Sequence, residues 1–213
     1  MNVILKRSTR AKRTSLKVRQ GRIILTVARG GSVSKAYDFL NSHLEFLNNR
    51  LKDFKQISFE DGSIVKLLGK EYKIVYSNKI ELQTIAINDD ELVISRVVKD
   101  PQELIMKSLS HRLKQEITNM AANICDQLEV TYKKIAVKNM HSKWGSCSSS
   151  GNLSFCLKLI FFDIEILRYV VVHEICHLRE MNHSKNFWEL VESVYPNWRA
   201  ARTYLKNEGA KIL

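Results

Sequence analysis

Proline is nearly missing from the 213 residues. Only Pro101 and Pro196 occur, too few for long proline-rich linkers. Internal repeats and low-complexity tracts are also lacking. No apolar run approaches the roughly 18 residues that a membrane helix needs. The start, Met1-Asn2-Val3-Ile4-Leu5-Lys6-Arg7, places its charges after a very short apolar stretch, the reverse of a secretory signal. A soluble, cytoplasmic chain without membrane contact is expected. The four cysteines, Cys125, Cys147, Cys156 and Cys176, contain no C-x-x-C pair. That argues against a four-cysteine zinc ribbon or a thioredoxin-type motif. Four free thiols are expected in a reducing compartment.

Acidic residues are absent from residues 1 to 37, where Lys6, Arg7, Arg10, Lys12, Arg13, Lys17, Arg19, Arg22, Arg29 and Lys35 stand. The whole chain carries 34 Lys plus Arg against 22 Asp plus Glu, a formal net charge of +12. A block of one sign can bind phosphates, so nucleic acid is carried as a partner through this basic N-terminal region. The same block also reads as the solvated face of strands, and no aromatic-interleaved motif specifies a nucleic-acid fold. With 45% hydrophobic and 26% charged residues the composition is that of a globular protein, not a disordered one.

The first half reads as strands with one helix. Strands over about 14–19 and 22–28 make a hairpin around Gln20-Gly21. Ser32 or Ser34 caps a helix over about 34–55, with Ala36, Phe39, Leu40, Leu44, Leu47 and Leu51 as its stripe. Short strands follow at about 63–68, 72–76, 84–87 and 92–95, with turns at Gly69-Lys70 and Asn88-Asp89-Asp90. Composition shifts at Lys99-Asp100-Pro101. Two domains are therefore expected: a basic, β-rich N-terminal domain over 1–98 and a second domain over 99–213. The second begins with a helix over about 101–128, which Pro101 starts well. Strands over about 133–138 and 152–160 and helices over about 164–180, 184–194 and 197–207 complete it.

The segment His173-Glu174-Ile175-Cys176-His177 carries the chemistry. Residues four apart share one helix face, so both imidazoles can reach one metal at about 2.0–2.1 Å. Glu174 then lies beside the metal, where a general base is needed to take a proton from the attacking water. Random placement of these residue types yields roughly 0.01 such matches in a chain of this composition, so the motif is not an accident. The apolar lead-in Tyr169-Val170-Val171-Val172 makes this helix buried, and burying two histidines and a carboxylate without a metal is costly. His183 is the candidate third ligand. On a continued helix it would face about 240° away from His177, so the chain must turn, and Asn182 tolerates a left-handed helix end. Three histidines leave the open position that catalysis needs, whereas Cys176, about 100° around from His177, is a weaker rival as a fourth ligand. His43, His111 and His141 have no motif spacing, although His141 sits close to Trp144.

The segments Lys143-Trp144-Gly145-Ser146-Cys147, Asn152-Leu153-Ser154-Phe155, Tyr169 to Leu178, Asn182-His183-Ser184 and Phe187-Trp188 together resemble the YgjP-like metallopeptidase family. More remotely the chain is similar to SprT-like and WLM proteases. Arg7-Ser8-Thr9-Arg10, Ser15-Leu16-Lys17-Val18 and Leu67-Leu68-Gly69-Lys70-Glu71-Tyr72 extend the likeness to the N-terminal half. Lys143 departs from it, since Arg is more usual before the Trp, and bidentate pairing is lost. The resemblance implies an α+β fold, with a zincin-like metallopeptidase domain on the H-E-x-x-H helix behind the β-rich N-terminal domain. It implies Zn2+ held by His173, His177 and His183, with Glu174 as catalytic acid/base in peptide-bond hydrolysis by zinc-activated water. Trp144, Gly145 and Ser146 would lie near the cleft and bind a peptide or protein substrate, an exposed edge strand there accepting it by β-addition. Phe187 and Trp188 are expected behind the zinc helix. Tyr169, Tyr195 and His141 are candidates for stabilising the oxyanion. Two rivals stay open. One is another zinc amidohydrolase of the deformylase kind, in which Cys147 would replace His183. The other is a DNA-associated protease of the SprT or WLM type, or a nucleic-acid module with a structural metal.

Overall fold

Strand β3, Arg22–Val27, shows how the first unit forms. Its residues alternate, and Ile23, Leu25 and Val27 are fully buried while their neighbours face outward, the period of two that a half-buried strand requires. The structure is a computed structural model and describes residues 2–19, 21–52, 57–78, 85–140 and 142–209. β1, Val3–Arg7, runs parallel to β3, and β2, Ser15–Arg19, runs antiparallel to it, giving the sheet order β1-β3-β2. Helices α1, Val33–Asn41, and α2, Leu44–Lys52, supply Ala36, Leu40 and Leu47 to the same small core. Ser32 caps α1 through its hydroxyl, which accepts from the Lys35 amide. The single helix expected over 34–55 is thus two. The break falls at Ser42-His43, where the Ser42 hydroxyl bonds the Phe39 carbonyl and the His43 Nδ1 lies 2.9 Å from it. Side chains that compete for a helix carbonyl favour an end over an interior.

The chain resolves into two compact units, Met1–Gln56 with Asn207–Leu213, and Ile57–Lys206. The division expected at 98/99 therefore falls inside the second unit. The cause is a second sheet built from β4, Ile64–Leu67, β5, Lys70–Ser77, β6, Ile85–Ile87, and β7, Glu91–Ser95, in the order β4-β5-β7-β6. This sheet bonds to the helical part of the same unit. The Leu68 amide donates to the Ile160 carbonyl at 2.8 Å, and Arg112 donates to the Tyr72 hydroxyl at 2.9 Å. Leu68 and Gly69 make the β4–β5 turn with φ of 50° and 93°, the two positive values of a two-residue hairpin turn that favours glycine. Thr84, expected to begin a strand, lies outside the described residues.

Helix α3, Pro101–Leu128, is the long element of the second unit. Asp100 caps it by accepting from the Glu103 amide, and Ile105, Leu109, Leu113, Ile117, Ala121, Ile124 and Leu128 form its buried stripe. The third sheet has β8, Lys134–Lys138, parallel to β10, Asn152–Cys156, with β9, Gly145–Cys147, antiparallel at the edge. The strand expected to run to residue 160 stops at Cys156. Leu157–Phe161 coils into a 3-10 turn, since a short apolar run does not itself distinguish strand from helix. Helix α4, Ile164–Cys176, packs along α3 and is followed by α5, Lys185–Val194, and α6, Trp198–Glu208. The architecture is mixed α+β, as expected. Among the described residues no helix is long and apolar enough to cross a membrane.

α3 ends on Glu129, exposed and left-handed at φ 50°, ψ 46°, where glycine is the usual choice because a Cβ there costs roughly 1–2 kcal/mol. Glu129→Gly should raise stability by about 1 kcal/mol, and Glu129→Val should lower it. Denaturant midpoints at unchanged slope would show this; equal midpoints for both would contradict the strain argument.

Candidate metal centre

Helix α4 is apolar on nearly every side, with nine of its thirteen residues buried. A helix buried all round normally carries no polar groups at all. Here it carries His173, Glu174 and, at its C-cap, His177. The four-residue spacing turns both histidines to one face, and their rings lie 5.0 Å apart at right angles. After Cys176 the chain reverses. The Arg179 and Glu180 amides both donate to the Cys176 carbonyl, and the Asn182 side chain accepts from the Ser184 amide at 3.0 Å. Asn182 is not left-handed; among the described residues only Leu68 and Glu129 are non-glycine positions of positive φ. The expected reversal is made instead by this side-chain turn, after which Ser184 caps α5 at the Phe187 amide.

The reversal brings His183 back. Its Nε2 lies 3.1 Å from the Nε2 of His173, and one nitrogen from each of His173, His177 and His183 falls within 4.8 Å of the others. Nitrogens about 2.0–2.1 Å from one tetrahedral ion stand roughly 3.3 Å apart, so the three donors fit a shared metal. His177 donates from Nδ1 to the Glu180 carbonyl at 2.9 Å, which leaves its Nε2 lone pair for the cluster. Burial first, then His177, His183 and Arg202, drive His173 down to about 3. Burial, His177 and Arg202 also hold His183 below the usual histidine range. Neutral imidazole is the ligating form.

Aromatic rings hold the cluster rather than back it from behind. Phe187 is fully buried and stacks on His177 at 4.5 Å and 24°, with its edge towards His173 and His183. Trp188 stacks on His183 at 5.6 Å and 28°, and on Trp198 at 4.2 Å and 18°.

Glu174 is 5% exposed. Burial pushes its carboxyl up to about 8, against the pull of Lys143 and of the Cys147 amide, which donates to it. Strand β9 lies against this carboxylate. A Cβ built on Gly145 would stand 2.5 Å from Glu174 Cγ and 2.7 Å from Cδ, closer than real Cβ contacts come. Trp144 is half-buried and meets Phe162 edge-on at 5.1 Å. Trp144 and Gly145 line a cavity of about 320 Å3 together with His173, Glu174 and Tyr169. Ser146 instead pairs with Ser154 in the β9–β10 ladder and is not among the described lining residues.

Of the other candidates, Tyr169 is buried, lines the cavity and is pushed up to about 12 by burial. Tyr195 donates to Glu165 at 3.4 Å. His141 lies outside the described residues. Cys176 is fully buried, its thiol pushed up to about 12, and it stands outside the histidine cluster. Cys147 also stands outside the cluster, and its thiol faces the Ser148 carbonyl. Arg202 and Lys206 line the cavity from α6 and had no signal beyond their four-residue spacing.

The family described as YgjP-like, metallopeptidase domain, matches residues 12–208. The chain belongs to the YgjP-like metallopeptidase family. A YgjP-like chain is a metal-dependent hydrolase of peptide or protein substrates, and the family match gives no support to nucleic acid as a partner. No curated protein matches the sequence. Two solved structures are similar in part. The zymogen of the metallopeptidase abylysin from Pyrococcus abyssi aligns over 43% of this chain and 95% of its own, at 20% identity and a TM-score of 0.39. The zymogen of the metallopeptidase jannalysin from Methanocaldococcus jannaschii aligns over 42% of this chain and 91% of its own, at 24% identity and a TM-score of 0.37.

In this YgjP-like chain the contact between Gly145 and Glu174 admits no side chain at 145. Gly145→Ala should displace the Glu174 carboxylate and lower peptide hydrolysis by roughly 10²-fold or more, the effect of disturbing a group that transfers a proton, the part proposed below for Glu174. Metal content and circular dichroism should stay at their native values. Native turnover in Gly145→Ala would show that the contact is not needed.

Proposed function

We propose that the chain is a zinc peptidase in which His173, His177 and His183 hold the metal and Glu174 is the general acid/base. The observation that carries this is the convergence of three imidazoles within 4.8 Å, beside a buried carboxylate on the same helix. Three nitrogen donors suit zinc among several divalent metals, and a three-residue set keeps the open position of a catalytic site. Bound there, the metal would supply Lewis-acid polarisation of the scissile carbonyl and acidify the attacking water.

The remaining steps belong to the chain's own side chains. Glu174 takes the proton of the attacking water and returns it to the leaving amine. Its raised pKa favours the return, and the Cys147 amide and Lys143 favour the charged form that accepts. The Glu180 carbonyl and the Phe187 ring fix the orientation of His177. Trp144, Gly145 and Ser146 are proposed to bind the substrate. β9 is an edge strand, so an extended peptide can add to its free side and pass in front of Glu174. Tyr169 is the better placed of the two tyrosines to meet the oxyanion, since it lines the cavity while Tyr195 is engaged with Glu165. With Cys147 outside the cluster and His183 within it, the deformylase-like ligand set finds no support. Four free cysteines suit a reducing compartment such as the cytoplasm.

The test is metal content set beside turnover. Glu174→Gln should keep one zinc per chain and lose hydrolysis by about 10²–10⁴-fold. His183→Ala should lose both, and Cys147→Ser should keep the metal. Full zinc retention in His183→Ala, or native turnover in Glu174→Gln, would sink the assignment. Chelation should abolish hydrolysis in the native chain, and added zinc should restore it.

A further inference from the structure

The cavity beside Glu174 is walled by cations, of which only Lys143 bears on the hydrolytic step. Arg202 and Lys206, one turn apart on α6, line it with Leu205 between them, and Lys143, just before β9, lines it as well. None of the three forms an ion pair among the described residues. Unpaired cations gathered in one concavity are a binding feature, because mutual repulsion disfavours their clustering otherwise.

Arg202 is held in place. Its guanidinium lies 4.7 Å from the centre of the Trp188 ring and 6.0 Å from that of Trp198, against the stacked indole pair. Cation–π contact of this kind occupies the flat face of a guanidinium and leaves the N–H fork free at its edge. That fork matches a carboxylate in a bidentate pair, the strong and directional form of the interaction. Trp188 also stacks on His183, so one ring joins Arg202 to the third histidine. The cavity volume, about 320 Å3, lies at the small end of ligand sites and suits a single residue of a chain.

We propose that Arg202, assisted by Lys206 and Lys143, makes this cavity a carboxylate-binding subsite, so that cleavage falls beside an acidic residue or beside a free C-terminus. Both sources present the same chemistry to the same fork. Arg202 is thus a specificity-determining residue. The proposal rests on the assignment of hydrolysis to Glu174 and the three histidines.

The test uses the full-length, zinc-loaded chain carrying Glu174→Gln, which retains peptides without cutting them. A randomised peptide library is offered in two halves, one with free C-terminal carboxylates and one amidated. Retained peptides are identified by mass spectrometry. Carboxylate-bearing peptides should be enriched about tenfold or more, a difference of about 1.4 kcal/mol. Enrichment of Asp and Glu in both halves assigns the subsite to side chains. Enrichment confined to the free-acid half assigns it to the C-terminus. Adding Arg202→Gln should remove the enrichment, and Arg202→Glu should turn it towards Lys and Arg. The exposed pair Lys143→Gln with Lys206→Gln should reduce it several-fold, which guards against a folding defect at Arg202. No enrichment, or enrichment unchanged by Arg202→Gln, overturns the proposal; the second is the behaviour of a carboxylate held by the metal alone. The same library is then offered to the chain with Glu174 intact. Cleavage without carboxylate preference overturns the subsite and leaves the peptidase assignment standing. Carboxylate retention without any cleavage sinks the peptidase assignment and leaves the subsite standing.

Discussion

Polar groups on a buried apolar helix are tolerated only when each one has somewhere to put its charge or its hydrogen bonds. α4 lives under that constraint, and the surrounding elements answer it. His177 gives its proton to a carbonyl in the turn that follows. Glu174 receives an amide from β9. At His173 the constraint is met only in part: its buried Nδ1 has no partner among the described residues, while its Nε2 faces His183. The low dielectric that makes such groups costly also lowers the pKa of His173 and His183 and makes the Glu174 carboxyl easy to protonate. Burial is therefore the source of the reactivity as well as its cost.

The helical frame could be read from sequence because its signals are long and periodic. The stripe from Ile105 to Leu128 repeats over about six turns, and Asp100-Pro101 marks the start of the helix. The family and its metal-dependent hydrolysis were legible in the same way, from spaced residue types that chance does not assemble. The histidines could be expected to meet because a four-residue period is a geometric statement about a helix. Short or irregular elements were not legible. β9 is Gly-Ser-Cys, three residues without β-branching or alternation. β1 ends in Lys6 and Arg7, which hide its period. The break at Ser42-His43 depends on side chains choosing a local carbonyl, a choice that periodicity does not record. Arg202 lies 25 residues beyond the end of the motif at His177, and the stacked indoles hold it at the cavity.

The aromatic shell explains why the segment after the metal motif is rich in rings. Phe187 fills the space under three imidazoles, and Trp188 joins the third of them to Trp198 on the next helix. Ring-on-ring packing fixes orientation without adding hydrogen-bonding groups that would compete for the histidine nitrogens. The N-H-S turn and the F-W pair thus act together. One brings His183 back and the other keeps it from rotating away.

Gly145 and Glu174 stand some thirty residues apart in the chain and touch through the absence of a side chain. The space that Glu174 fills is the space a Cβ at 145 would need. A larger residue at 145 becomes admissible only after the acid at 174 has shortened, and a shorter acid draws back from the cavity that both residues line. Neither position can drift by itself. Across descendants of this chain the two sites are bound to change together or to stay as they are, a pairing that lineages would record as covariation although no bond joins the two side chains.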